Sequence, residues 1–192
     1  MKNNEKKIII FPTDTVYGIG TKIDDIENLK KIYQIKKRNL DKPISVLFYS
    51  LDQIEKIVFI DDNIRKIADI FWPGPLTLIV YTQNPSYFCI KEEKMGIRIP
   101  NHPLALKILK KLGPLRTTSI NKSGQPSLNN YQKIKEKYGN KVDYVYPDNY
   151  KNLSSGISST IIDTTTVKWQ IIRRGTPNIL KKLNKFIFKH FH

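Results

Sequence analysis

The 192-residue chain has a single cysteine, Cys89. An internal disulfide and a cysteine cluster for metal are thereby excluded. Histidine is nearly as scarce, with three residues, two of them (His190 and His192) at the C-terminal end. That leaves little imidazole for acid–base work. No Ser-His-Asp set and no His/Glu pattern with metal-ligand spacing can be picked out, so no resident metal site is expected. No apolar run approaches the length of a membrane span. The run at 8–11 is too short for the core of a signal peptide, so a cytoplasmic setting without a membrane partner is expected. The Walker A loop and the dinucleotide Gly-rich fingerprint are both missing, and any nucleotide must be cradled in another way. Acidic residues are also few, 17 against 33 basic, for a net charge of +16.

Such a charge excess suggests a polyanionic partner, whether nucleotide, tRNA or another nucleic acid. It is spread along the chain and locally dense only over 181–192. The abundance of Ile, Lys and Asn is also what an A/T-favouring genome produces, so part of the lysine content is compositional. Length and the lack of repeats, linkers or low-complexity tracts point to one domain, 1–180, followed by a short basic tail, 181–192.

Periodicity places the elements. Residues 8–10 read as a buried strand. A helix is expected over 24–36, capped by Asp24 or Asp25, and Pro43 forces extended chain into a strand at 44–48. Helices follow at 51–57 and 63–71, the second stopped by Trp72-Pro73-Gly74-Pro75. Strands are expected at 76–81 and 96–99. A helix at 103–112 opens on Pro103 and closes on Gly113, and a strand follows at 115–120. A helix near 130–138 precedes strands at 142–146, 160–163 and 170–173. Alternating strands and helices define an α/β domain. The late strands have no helices between them, so the sheet should be mixed, with antiparallel pairs toward the C-terminus.

Five polar segments punctuate this frame. Phe11-Pro12-Thr13-Asp14-Thr15-Val16-Tyr17-Gly18 leaves the first strand and puts hydroxyls and a phenol on a loop. Alone, it reads first as a structural turn with Asp14 and the threonines bonding nearby amides, and only second as part of a site. Lys36-Lys37-Arg38 ends the first helix. Its cations either complement the helix dipole or, on extended chain outside the core, point together at a triphosphate or carboxylate. Arg98, within Gly96-Ile97-Arg98-Ile99-Pro100, is a charge in an apolar strand and needs an anion, internal or substrate. His102 reads as a loop residue and not as a general base. Thr117-Thr118-Ser119-Ile120-Asn121-Lys122-Ser123-Gly124 offers neutral donors to phosphate or ribose oxygens. Ser158-Ser159-Thr160 lies before one strand, and Arg173-Arg174-Gly175 ends the next. Cations and hydroxyls without imidazole suit positional and electrostatic catalysis on an already reactive phosphoryl or acyl group.

In this order, the Pro-Thr-Asp-Thr-Val-Tyr-Gly turn, Lys-x-Arg, Trp-Pro-Gly-Pro-Leu-Thr, Arg-Ile-Pro-x-His-Pro, Ser-x-Asn, Ser-Thr-Ile-Ile-Asp and Arg-x-Gly resemble the YrdC/TsaC family of threonylcarbamoyl-adenylate synthases. The resemblance runs from about Ile8 to Gly175. It implies a twisted mixed sheet with flanking helices and a concave basic cavity. It also implies a nucleotidyl transfer in which L-threonine, bicarbonate and ATP, with Mg²⁺, give threonylcarbamoyl-AMP and pyrophosphate. Other proteins would then carry the threonylcarbamoyl group to tRNA; direct tRNA contact by this chain stays open. By motif position, Lys36, Arg38, Ser119 and Asn121 would serve catalysis. Thr15, Tyr17, Arg98, Thr117 and Ser159 would hold threonine. Arg38, Lys42, Lys94, Ser119, Ser127 and Arg173 would hold ATP. The chain departs from the family pattern at Asn39, at Ile120, and at Leu47, where some longer members carry a histidine. The longer members' C-terminal domain has no counterpart in this sequence, which resembles the short form. The competing readings are a tRNA or double-stranded RNA binding module without catalysis and a carbamoyl-transfer module of the hydrogenase-maturation type. Backbone binding needs none of these hydroxyls, and the single cysteine and short length fit the second poorly.

Overall fold

The computed structural model describes residues 6–83, 93–121, 125–150 and 153–191. Cys89 and the Lys122-Ser123-Gly124 turn lie outside them.

Among the described residues nine strands form one sheet: β1 (Ile9–Phe11), β2 (Gly18–Lys22), β3 (Val46–Leu47), β4 (Leu76–Tyr81), β5 (Lys94–Arg98), β6 (Leu115–Ser119), β7 (Tyr144–Val145), β8 (Thr160–Asp163) and β9 (Gln170–Arg173). Their spatial order is β7-β1-β2-β6-β3-β5-β4-β8-β9. Among the described residues six α-helices flank it: α1 (Ile26–Lys36), α2 (Leu51–Glu55), α3 (Asp62–Phe71), α4 (Pro103–Leu112), α5 (Tyr131–Tyr138) and α6 (Pro177–Phe191). The sheet is mixed as expected, but antiparallel pairs are not confined to its late strands. β1–β2, β2–β6 and β4–β5 are antiparallel, as is β8–β9, while β1–β7, β3–β5 and β4–β8 are parallel.

The apolar run at the start is buried on both faces. Ile8 and Ile10 pack with Leu29, Ile32 and Ile134 of α1 and α5, whereas Ile9 packs with Ile108 and Leu109 of α4. A larger core gathers α3, β4 and β5 around Phe71, Leu78 and Ile97. Asp25 caps α1 by accepting the Asn28 amide at 3.2 Å, and Asp61 caps α3 through the Ile64 amide at 2.7 Å.

Two elements depart from the sequence expectation. β2 had no periodic signal, because Gly18 and Gly20 interrupt it and glycine is weak strand evidence. A Cβ on Gly20 would lie 2.6 Å from Thr117 Oγ1 and 2.8 Å from the Arg116 carbonyl, so the close approach of β6 requires the bare backbone. The stretch expected as a basic tail is most of α6. Ile179, Leu183, Phe186 and Ile187 recur at helical spacing among the lysines, and Leu183 and Phe186 are buried in the large core. That stripe anchors the helix.

Candidate functional site

The polar loop after β1 is the connection of a hairpin, since β2 returns antiparallel with Phe11 opposite Gly18. Thr13 stiffens it: its hydroxyl donates to the Val16 carbonyl at 2.7 Å and lies 2.9 Å from Thr15 Oγ1. The loop faces β5, where Arg98 rises from the sheet. Arg98 donates through Nε to the Gly74 carbonyl at 2.9 Å and through Nη1 to Thr15 Oγ1 at 2.9 Å, and its Nη2 pairs with Asp14. The anion that the apolar strand context demanded is therefore at least partly internal. Asp14 does not serve nearby amides; besides Arg98 its Oδ1 accepts the Asn101 amide at 3.1 Å. Burial works against the Arg98 charge, and Asp14 opposes that effect.

Behind Arg98, the Thr77 and Ser159 hydroxyls meet at 2.8 Å. Arg173 closes this side, donating to the Ser159 carbonyl at 2.8 Å and to its hydroxyl at 3.0 Å. The Arg173 pKa is pushed down, first by loss of water and then by the charges of Arg98 and Arg38. Three guanidiniums that repel one another around one space make a site for an anion.

That space is an inner pocket of about 140 Å³. Thr15, Arg98, Thr117 and Ser159 line it, with Val16, Leu47 and Ile161 as apolar wall. An outer pocket of about 500 Å³ adjoins it, lined by Lys36, Asn121, Gln125 and Ser127. Arg38, Ser119, Ser158 and Arg173 line both. The dimensions suit a small ligand inside and a larger one outside, meeting at a wall of cations and hydroxyls.

Lys36 and Arg38 reach this wall by a route the sequence did not reveal. Lys36 is the last helical residue of α1, and Lys37 turns the chain with φ 50°. Arg38 then donates to the carbonyls of Lys42 and Pro43, each at 3.0 Å. Lys36 is not on an exposed loop but 1% exposed. Its ammonium donates to the Ser119 carbonyl, to the Asn121 carbonyl at 3.0 Å and to Asn121 Oδ1 at 2.9 Å. Three acceptors match its three donors, and Ser119 Oγ adds a bond to Asn121 Oδ1 at 2.7 Å. Burial, with help from Arg38, lowers the Lys36 pKa to about 8. Lys36 thus clamps the Ser119–Asn121 turn.

Three sequence assignments fall outside the pockets. Tyr17 is 1% exposed and packs in the α1/α5 core; burial raises its pKa. Lys42 contributes its carbonyl to Arg38 while its side chain is exposed. Lys94 is at the far end of β5 from Arg98, its ammonium 5.3 Å from the Tyr81 ring centroid. The pocket lining also includes Thr13, Thr77 and Ser158, to which the sequence assigned no role. Thr77 carried a signal: Leu76, Leu78 and Val80 fill the core by strand alternation, leaving Thr77 on the other face. His102 is fully buried, with Nε2 3.4 Å from Asp148 Oδ1. Burial outweighs that carboxylate and lowers its pKa.

Fold and site together define a mixed-sheet α/β protein with two adjoining pockets whose shared wall carries Arg38, Ser119, Ser158 and Arg173. The chain belongs to the Sua5/YciO/YrdC family, whose profile, described as "Telomere recombination", matches residues 3–175. A Methanocaldococcus jannaschii relative, provisionally named a threonylcarbamoyl-AMP synthase, is 36% identical over 91% of this chain and 83% of its own length. The threonylcarbamoyl-AMP synthase of Pyrococcus abyssi is 31% identical over 89% of this chain; the match spans 51% of that protein. The crystal structure of P. abyssi Sua5 complexed with L-threonine superposes with a TM-score of 0.84 at 30% identity, covering 94% of this chain and 54% of that one. Escherichia coli YciO shares the fold at a TM-score of 0.79 and 24% identity, over 89% of this chain and 84% of its own.

Proposed function

We propose that the chain is a threonylcarbamoyl-AMP synthase, a nucleotidyl-transferring enzyme acting on L-threonine, bicarbonate and ATP. The observation that carries this reading is the wall shared by the two pockets, where Arg38, Ser119, Ser158 and Arg173 line both. Threonine would occupy the inner pocket, its carboxylate on the N–H groups that Arg98 does not spend on Gly74, Thr15 and Asp14. Its amine, on the bicarbonate carbon, forms a C–N bond with loss of water. A carbamate oxygen then attacks the α-phosphorus of ATP held in the outer pocket, and the bond to the β-phosphate oxygen breaks. Pyrophosphate leaves with the charge that Arg38 and Arg173 stabilise. No imidazole is needed, because binding two anions in line supplies most of the barrier reduction.

Mg²⁺ fits the nucleotide and not the protein. Among the described residues no group of three or more His, Cys, Asp or Glu side chains could hold a metal, and Asp14 is committed to Arg98. A magnesium ion would enter on the phosphates. The product would pass to proteins that transfer the threonylcarbamoyl group to tRNA. Among the described residues no helix is long and apolar enough to cross a membrane.

The test is to incubate the purified chain with ATP, bicarbonate and threonine and to follow pyrophosphate together with the labile adenylate. Release should require threonine and bicarbonate jointly. Equal pyrophosphate release without an amino acid would overturn the reading.

A further inference from the structure

Thr77 is a buried hydroxyl that the proposed reaction leaves without a task. It is 2% exposed and lines the inner pocket from β4. Leu78 of β4 pairs antiparallel with Ile97 of β5, so Thr77 sits beside Arg98 on the same face of the sheet. On its other side β4 runs parallel to β8, with Thr77 opposite Ile161, which brings Ser159 within reach just before that strand. The Thr77 methyl is turned toward Gly96 of β5, where an added Cβ would come within 3.5 Å of it. Its hydroxyl is turned the other way, to Ser159, and a β-branched side chain holds such a rotamer stiffly.

The proton count in this pair is restrictive, because a hydroxyl carries one proton and two acceptor sites. Arg173 can only donate, and its Nη2 fills one acceptor site of Ser159 Oγ at 3.0 Å. The Thr77 and Ser159 oxygens are 2.8 Å apart, so one of the two hydroxyl protons occupies that contact. The other is left for the pocket, which both residues line. A hydrogen bond to an anion is roughly twice as strong as one between neutral groups, and the oxygen already polarised by a guanidinium is the better donor. With an anion in the pocket, Thr77 therefore donates to Ser159, and Ser159 donates to the anion.

We propose that Thr77 is a positioning residue for amino-acid recognition: by donating to Ser159 it directs the Ser159 proton at the carboxylate that Arg98 holds. The inference rests on the synthase reading, in which L-threonine occupies the inner pocket. Without the Thr77 hydroxyl, Ser159 Oγ keeps only Arg173 as a fixed partner, and its own proton is free to turn away from the ligand. Thr77 touches no reacting atom in this arrangement and acts through Ser159.

Equilibrium dialysis of the full chain with radiolabelled L-threonine, and separately with ATP, tests it. Thr77→Val, which keeps the shape and loses the hydroxyl, should raise the threonine Kd about tenfold and leave the ATP Kd within about twofold. Thr77→Ser, which restores the hydroxyl, should stay within about threefold of wild type. Adding Thr77→Val to Ser159→Ala should change the threonine Kd by less than about twofold, since the effect passes through Ser159. Thr77→Ala also lacks the hydroxyl and should show the same loss, which keeps the test open if the valine variant fails to fold. The inference is overturned if the variants without the hydroxyl bind threonine like wild type, if Thr77→Ser is as weak as they are, or if the two substitutions multiply. It is equally overturned if ATP binding weakens in step with threonine binding. A wild-type chain that binds no threonine would overturn the synthase reading as well, whereas wild-type binding with an unchanged Thr77→Val constant overturns this inference alone.

Discussion

Arg98 donates to a carbonyl, a hydroxyl and a carboxylate at once, and only a planar fork can satisfy that set. Arg98→Lys keeps the charge and loses the geometry. The KM for threonine should rise about tenfold, as expected for about 1.4 kcal/mol of lost binding, with the ATP constant little changed. Varying each substrate in turn decides it: movement of the ATP constant alone would make Arg98 a phosphate ligand. Lys36 calls for a pH experiment. Its folded pKa of about 8 lies below the ordinary 10.5, so the unfolded chain holds more protons between those values. By linkage this residue's contribution to stability increases as pH rises through that window. Activity should run the other way, because deprotonation removes a donor from the Ser119–Asn121 clamp and a positive charge from the outer pocket. The rate profile should show an alkaline limb near pH 8, and a flat profile from pH 7 to about 9.5 would refute the link to this group. Lys36→Ala, unlike Arg38→Ala, should also lower stability, since it leaves buried carbonyl oxygens without their donor.

β6, paired with β2, carries the Thr117 and Ser119 hydroxyls that line the inner pocket, and glycine sets the spacing of that contact. In Gly20→Ala the new methyl would meet the Arg116 carbonyl at 2.8 Å, a backbone atom that cannot rotate away. The substitution should cost about 1–3 kcal/mol, read from a urea midpoint. It should also reduce turnover by shifting Thr117. α6 makes a complementary case at the other side of the fold. Leu183 is fully buried, so Leu183→Ala should cost about 2–5 kcal/mol. A free tail would give no change in the denaturation midpoint.

For the whole molecule, the proposed synthase reading divides the tasks between the two pockets, an amino acid in the inner one and a nucleotide in the outer. Val16, Leu47 and Ile161 supply the apolar wall of the inner pocket. A threonine methyl packed on such a wall contributes about 1–3 kcal/mol. Serine should therefore remain a substrate, with kcat/KM about 10- to 100-fold lower. Competition between the two amino acids in one reaction measures the ratio directly, and equal use would place the methyl group away from this wall.

Much of this protein was legible in its residues. The helix at Pro103–Leu112 and the strands at Thr160–Asp163 and Gln170–Arg173 have the limits the sequence predicts, because caps, prolines and periodicity act between near neighbours. The ordered motifs also indicated which hydroxyls and cations to watch, and Thr15, Arg38, Arg98, Thr117, Ser119, Ser159 and Arg173 do converge on one pocket. Tertiary structure alone decided what each side chain faces. Asp14 meets Arg98 across 84 residues and Lys36 meets Asn121 across 85. Tyr17 turned into the core while its neighbour Thr15 turned into the pocket. Local sequence sets which elements form. The register between distant strands, chosen by burying the most apolar surface at once, sets which polar groups are left together at their ends.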